Sequence, residues 1–243
     1  MRFLPAIYAL LTIASVSGES LRPPNRMLWH WFSNGDVRFV TPQQAGVAFH
    51  ALSIALKGDS DPIPYPRRSP VPLSPGVYRM AVIRIEERAP AYTPAQRSQC
   101  ARMIREIATV MRVPAIQIDF DAPKSARPFY RALLQEVRAL LGRDVFLSIT
   151  ALTSWCEAGS WLRGLPVDET VPMAFDMGRG GSSVTALLNS GGEFAFPGCR
   201  ESIGMSLTEG ALPVRPDQRI YVFADNQRWS RALVASTLQR YAK

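Results

Sequence analysis

Ala115-Ile116-Gln117-Ile118-Asp119-Phe120-Asp121 is the stretch on which the fold turns. Apolar and polar residues alternate through it, the period of a β-strand. Ile116, Ile118 and Phe120 make one apolar set; Gln117, Asp119 and Asp121 make the other. An amide and two carboxylates in a buried column are costly unless paired or solvated. A barrel gives such a column a place, because alternate strand side chains enter its lumen while the others face the helices.

The flanks carry the same reading outward. Before the stretch, Thr93-Pro94-Ala95-Gln96 is a helix start: threonine caps, proline takes the first helical position and glutamine completes a capping box. The helix that follows places Met103, Ile104, Ile107, Val110 and Met111 on one face. After the stretch, Tyr130, Leu133, Leu134, Val137, Leu140 and Leu141 make another helical face, and Gly142 stops it. Further strands are expected over 27–32, 45–56, 77–86, 145–152, 171–176, 203–207 and 219–225. A turn around Trp161, a short helix over 183–188 and a closing helix from about 227 to 241 complete the chain. Between 62 and 75, six prolines (Pro62, Pro64, Pro66, Pro70, Pro72 and Pro75) exclude helix and central strand, so that segment reads as a long surface loop. Eight strands alternating with helices or loops predict an α/β fold: a small (β/α)8 TIM-like barrel with some helices shortened. No Gly-rich dinucleotide fingerprint follows any strand, which disfavours the open doubly wound alternative.

The chain has 243 residues, enough for one domain with a substantial core. Residues 1–18 have the layout of a secretory signal peptide: Arg2, an apolar run from Phe3 to Ala14, then Ser15, Ser17 and Gly18. The remainder, 19–243, is read as a single barrel domain, exported to the periplasm or the exterior and free of any later span long enough to cross a bilayer. The formal charge is +8. Nearly all of it is scattered arginine, with lysine only at Lys57, Lys124 and Lys243, and no nucleic-acid-binding signature accompanies it, which argues against a nucleic-acid partner. Of three cysteines, Cys100 falls in a helical pattern as a small core residue, so Cys156 and Cys199 are the expected disulfide pair. No zinc spacing, HExxH motif or serine-nucleophile elbow occurs, and no metal or cofactor is expected.

Candidate chemistry gathers at the C-terminal strand ends, where such barrels place their sites. Asp119 and Asp121 are the first candidates, with Gln117 below them. If Val82, Arg84 and Glu86 share the lumen face of their strand, Arg84 lies beside Asp119 and Glu86 sits at the rim. Thr150 and Ser148 are neighbours on the other side, and Asp176 and Asp225 end their strands. His30 lies between Trp29 and Trp31, and Trp229 follows Asp225. Aromatic rings around a carboxylate cleft suit sugar faces, so Gln117, Arg84, His30, Trp31, Thr150 and Trp229 are candidate substrate-binding residues. Asp121, Asp119, Asp176 and Glu86 are the candidate catalytic acids. His50, the second histidine, lies in an apolar stretch and is expected to be buried.

The segments LWHWF (28–32), YRMAVIRIE (78–86), AIQIDFDA (115–122), FLSITALTSWC (146–156) and LPVDETVPMAFDMG (165–178) resemble, in that order, an uncharacterised bacterial domain-of-unknown-function family, number 3142. That resemblance implies no activity. More distantly, Gln117-x-Asp119-x-Asp121 and Met173-Ala174-Phe175-Asp176 resemble motifs of the family 18 chitinase-type glycoside hydrolases. This second resemblance implies a (β/α)8 barrel with Asp121 in the place of the proton donor. Here Asp121 stands where that family carries glutamate, Gln117 replaces its first acid, and Phe175 replaces a tyrosine. Three functions follow as expectations: a glycoside hydrolase acting on a polysaccharide or envelope glycan, a non-catalytic glycan-binding barrel, or a structural envelope protein whose acids brace the barrel.

Overall fold

The computed structural model describes residues 21–31 and 35–241. The leader expected over 1–18 lies outside the described residues, and so does Phe32. Among the described residues nine strands form: β1 (Arg26–His30), β2 (Gly46–Gly58), β3 (Ile63–Pro66), β4 (Arg79–Pro90), β5 (Ala115–Asp119), β6 (Phe146–Leu152), β7 (Glu169–Met173), β8 (Ser202–Ser206) and β9 (Arg219–Phe223). Eight of them close a barrel in the order β1-β2-β4-β5-β6-β7-β8-β9, with β9 returning to β1 and every neighbour parallel. This is the expected small TIM-like barrel.

Alternation sorts its side chains as the β5 sequence requires. Ile116, Ile118 and Phe120 join the outer core, together with Leu133, Leu134 and Val137 from the helix layer. Met27, Trp29, Ala48, Met80, Val82, Phe146, Val171 and Tyr221 fill the lumen. Each fully buried large apolar side chain contributes roughly 1.5–3 kcal/mol, and both layers are built from such residues.

The helix layer is thinner than eight repeats would give. Among the described residues there are four α-helices: α1 (Pro94–Met111) after β4, α2 (Arg127–Leu141) after β5, α3 (Gly181–Asn189) after β7 and α4 (Arg231–Arg240) after β9. α1 starts with the full capping box, Thr93 Oγ1 accepting from the Gln96 amide at 3.1 Å and Gln96 Oε1 accepting from the Thr93 amide at 3.0 Å. Its buried stripe runs through Cys100, Ala101, Ile104 and Ala108. Val110, expected on that face, is 71% exposed. α2 buries Tyr130, Leu133, Leu134 and Val137, and Gly142 ends it at φ 65° as expected. No helix among the described residues is long and apolar enough to cross a membrane.

The proline-rich segment corrects one expectation. It is not loop throughout: Ile63–Pro66 pairs antiparallel with Leu52–Ala55 on the upper part of β2. Prolines are tolerated on an edge strand if their nitrogens face away from the partner. Arg67 donates its amide to the Ala51 carbonyl at 2.9 Å, so the odd-numbered residues face β2 and Pro64 and Pro66 face out. A bulge at Ala51 precedes this pairing. Above it, β2 and β4 run on together to Gly58 and Pro90, forming a tall wall on one side of the barrel mouth.

Candidate functional site

The lumen is closed from below by a buried carboxylate. Glu169, 6% exposed, accepts from the Ser148 hydroxyl at 2.7 Å, the Tyr221 hydroxyl at 2.7 Å, the Ser202 hydroxyl at 2.5 Å and the Arg219 guanidinium at 2.5 Å. Four donors around one carboxylate offset its desolvation. Gln117 sits on this group: its Nε2 donates to Ser148 Oγ at 3.0 Å and its Oε1 accepts from Trp29 Nε1 at 2.7 Å. Trp29 fits across the lumen because β8 has glycine opposite it. A Cβ on Gly204 would lie 2.6 Å from Trp29 Cη2.

One step higher, β4 and β5 pair Arg84 with Asp119 in register. Arg84 donates to Asp119 Oδ2 at 2.8 Å, and Thr150 donates to Oδ1 at 2.8 Å. The Asp119 side chain is 7% exposed while Arg84 remains 40% exposed. Asp121 lies above, 4.0 Å from the same guanidinium, with 48% of its side chain open to the mouth. The cleft walls crowd that carboxyl nonetheless. Burial pushes it above the usual aspartate range, the charge of Asp119 pushes further, Arg84 opposes, and Asp176 adds a smaller push.

Above Gln117 the lumen opens into a cleft of about 1000 Å³. Trp29, Trp31, Phe175 and Phe223 give it an aromatic side. Phe175 stacks on Phe223 at 5.7 Å, and Trp31 meets Phe223 edge-on at 6.0 Å. Further lining comes from two connections, one following β6 (Ser154, Cys156, Glu157) and one following β7 (Val184, Leu187, Glu193, Phe194). A disulfide joins these connections at Cys156–Cys199, the expected pair, and the Phe196 amide donates to the Cys156 carbonyl at 2.9 Å. Asp176 ends β7 at φ 48°, with its amide donating to Glu209 Oε1 at 2.7 Å. Asp225 ends β9 at φ 51° and accepts from Ser206 and from Thr208, the latter at 2.6 Å. Aspartate tolerates this left-handed backbone better than most residues.

Of the candidates named from the sequence, Asp119, Asp121, Asp176, Gln117, Arg84, Trp31 and Thr150 line this single cleft. Three do not. His30 is turned outward because Trp29 and Trp31 take the lumen positions on either side; it is 1% exposed and donates from Nε2 to the Gly35 carbonyl at 2.7 Å. Trp229 packs in the outer core and donates to the Trp29 carbonyl at 3.1 Å. Glu86 is held at the rim between Arg84 (3.9 Å) and Arg88 (3.4 Å), outside the cleft lining. The histidine of the lumen is His50, whose ring lies 5.2 Å from Trp31 and 2.9 Å from Ser53 Oγ. Burial, then the charges of Arg67 and Arg84, push its pKa down to about 4.

Glu169, Glu157, Glu193 and Phe223 are site residues that sequence reasoning passed over. Counting back from Phe175 through Met173 and Val171 places Glu169 in the lumen, so the signal was present. Glu157 and Glu193 reach the cleft from irregular segments, where periodicity has no hold. Among the described residues no cluster of three His, Cys, Asp or Glu side chains could hold a metal ion.

No family model matches the chain, family 3142 included, and no curated protein matches it either. Among solved structures, the chitinase domain of the spore coat protein CotE from Clostridium difficile is similar at 18% identity and a TM-score of 0.44. The match covers 70% of this chain and 54% of that one, so this chain spans about half the length of that structure. A likeness this distant transfers no residue roles.

Proposed function

We propose that the protein is an exported, glycan-active barrel whose cleft hydrolyses a polysaccharide or envelope glycan by carboxylate acid/base chemistry. The observation that carries this reading is the pair Asp119 and Asp121, adjacent on one strand in unlike surroundings. Asp119 accepts two hydrogen bonds, one from a guanidinium. Asp121 is pushed upward and opens into the cleft. A carboxyl pushed toward its protonated form beside one held by hydrogen bonds suits proton donation next to charge stabilisation.

In this reading Asp121 donates its proton to the glycosidic oxygen as the bond to the anomeric carbon breaks. Asp119 stabilises the positive charge that develops on the sugar ring. Asp176, whose charge reaches Asp121, takes a proton from the water that adds to the anomeric carbon. The aromatic side holds the sugar through its C–H faces. The Cys156–Cys199 bridge and the leader expected over 1–18 support an oxidising compartment outside the cytoplasm.

Two features favour a second reading, a glycan-binding barrel without catalysis. Asp121 is one methylene shorter than glutamate, and Phe175 brings no hydroxyl to the cleft. A reducing-end assay on a panel of polysaccharides, run beside binding measurements with Trp31→Ala, separates the two. The hydrolase reading expects new reducing ends from at least one glycan, with binding weakened in the variant. Binding without cleavage across the panel supports the second reading and sinks the first.

A further inference from the structure

The cleft is acidic although the protein is basic. Asp119, Asp121, Glu157, Asp176 and Glu193 line it, against Arg84 as the one basic residue in the lining, while the whole chain carries +8. Arg84 is committed to Asp119, and Glu193 is met by Arg200 at 3.2 Å and Arg215 at 2.9 Å from outside the cleft. Asp121 meets the same Arg84 at 4.0 Å and, as the proposed proton donor, enters the reaction protonated. That leaves Glu157 and Asp176, which form no ion pair among the described residues. A low-dielectric cleft lined by one sign of charge focuses its field on the ligand that enters. An anionic glycan would meet two uncompensated carboxylates and be repelled. A neutral glycan meets Glu157 and Asp176, which enter from separate connections, through hydroxyl hydrogen bonds alone, whereas a cation also answers their charge. Trp31 and Phe223 add π faces, which favour cations as well as sugar rings.

We infer that the cleft is built for a cationic glycan, one whose sugar units carry free amines. The inference rests on the proposed glycan-active reading and names the substrate class of the same site. A protonated amine on one unit meets Asp176 while an amine on another unit meets Glu157. The sugar rings lie against the aromatic side. Arginines elsewhere on the surface keep such a polymer from binding non-specifically, so the preference is confined to the cleft.

Calorimetric titration of the whole protein tests this with matched tetrasaccharides: glucosamine and N-acetylglucosamine oligomers in β-1,4 and β-1,6 linkage, with tetralysine as a non-sugar cation. The glucosamine oligomer in one linkage is expected to bind about tenfold tighter than its acetylated counterpart, the advantage of two partly exposed ion pairs. That advantage should shrink severalfold at about 0.5 M NaCl, where charges are screened beyond roughly 4 Å, and in Glu157→Gln. Circular dichroism of the variant should match the wild type. If the acetylated oligomers bind as tightly as the free amines, the cationic assignment fails and the glycan-active reading stands. If tetralysine matches the glucosamine oligomer, the site reads charge alone and the glycan assignment is overturned. If no sugar binds, both readings fall together.

Discussion

Single residues carry the chemistry, and their contexts differ in testable ways. Asp121 is raised and half open, Asp119 is enclosed and bonded, and Glu169 is buried beneath them with four donors. Glu169→Gln leaves Arg219 without its countercharge and costs about 3 kcal/mol, within the range for breaking a buried ion pair; urea denaturation reads it. His50 gives a pH signature. Its pKa falls from 6.5 unfolded to about 4 folded, so between those values the unfolded chain binds the extra proton. Stability is then full above pH 6.5 and declines as pH falls toward about 4, by on the order of 3 kcal/mol. His50→Gln should flatten that part of a stability-versus-pH profile; an unchanged slope would show that another group titrates there. At this scale the sequence was half legible. Alternation within β5 identified Gln117, Asp119 and Asp121, and the matching face of β4 identified Arg84. The same rule, applied to β1, turns His30 away from the cleft because its tryptophan neighbours occupy the lumen. Trp229 follows a strand end, where no period decides direction.

Elements place these residues, and most of them could be read in advance. All eight barrel strands announced themselves as apolar or alternating runs, and the α1 start by its capping box. Thr93→Ala should lower the melting temperature through a loss of about 1 kcal/mol, the usual worth of such a cap. What escaped were features set by partners rather than by local pattern. β3 escaped because its prolines exclude a central strand, yet with their nitrogens turned outward they permit an edge. Gly204 is a further case: its meaning depends on Trp29 from the far side of the lumen. Gly204→Ala puts a Cβ 2.6 Å from Trp29 Cη2 and is expected to cost about 1–3 kcal/mol as overpacking. It should also displace the Trp29 indole that holds Gln117, which tryptophan fluorescence would report. An unchanged spectrum and stability would mean that the lumen has slack at this point.

At the scale of the whole molecule, the barrel turns scattered polar residues into one cleft. Strands supply its floor and aromatic side, and two connections stapled by Cys156–Cys199 supply further lining. A bridge across a sequence separation of 43 typically contributes about 2–4 kcal/mol. Here it should also hold the cleft wall, so Cys156→Ser with Cys199→Ser is expected to weaken glycan binding more than it alters the far-UV spectrum. The fold class was legible because strand count and alternation are properties of the chain itself. The cleft's acidity was not, because Glu157 and Glu193 join it only through the loops and the disulfide. In the proposed reaction, glycan cleavage depends on proton donation by Asp121. Comparing wild type with Asp121→Asn on whichever glycan the wild type cleaves, with affinity and turnover read separately, tests that step. Affinity within a few-fold of wild type is expected, with turnover lower by about a hundredfold or more, the usual contribution of a general acid. Turnover that survives the substitution would contradict that step.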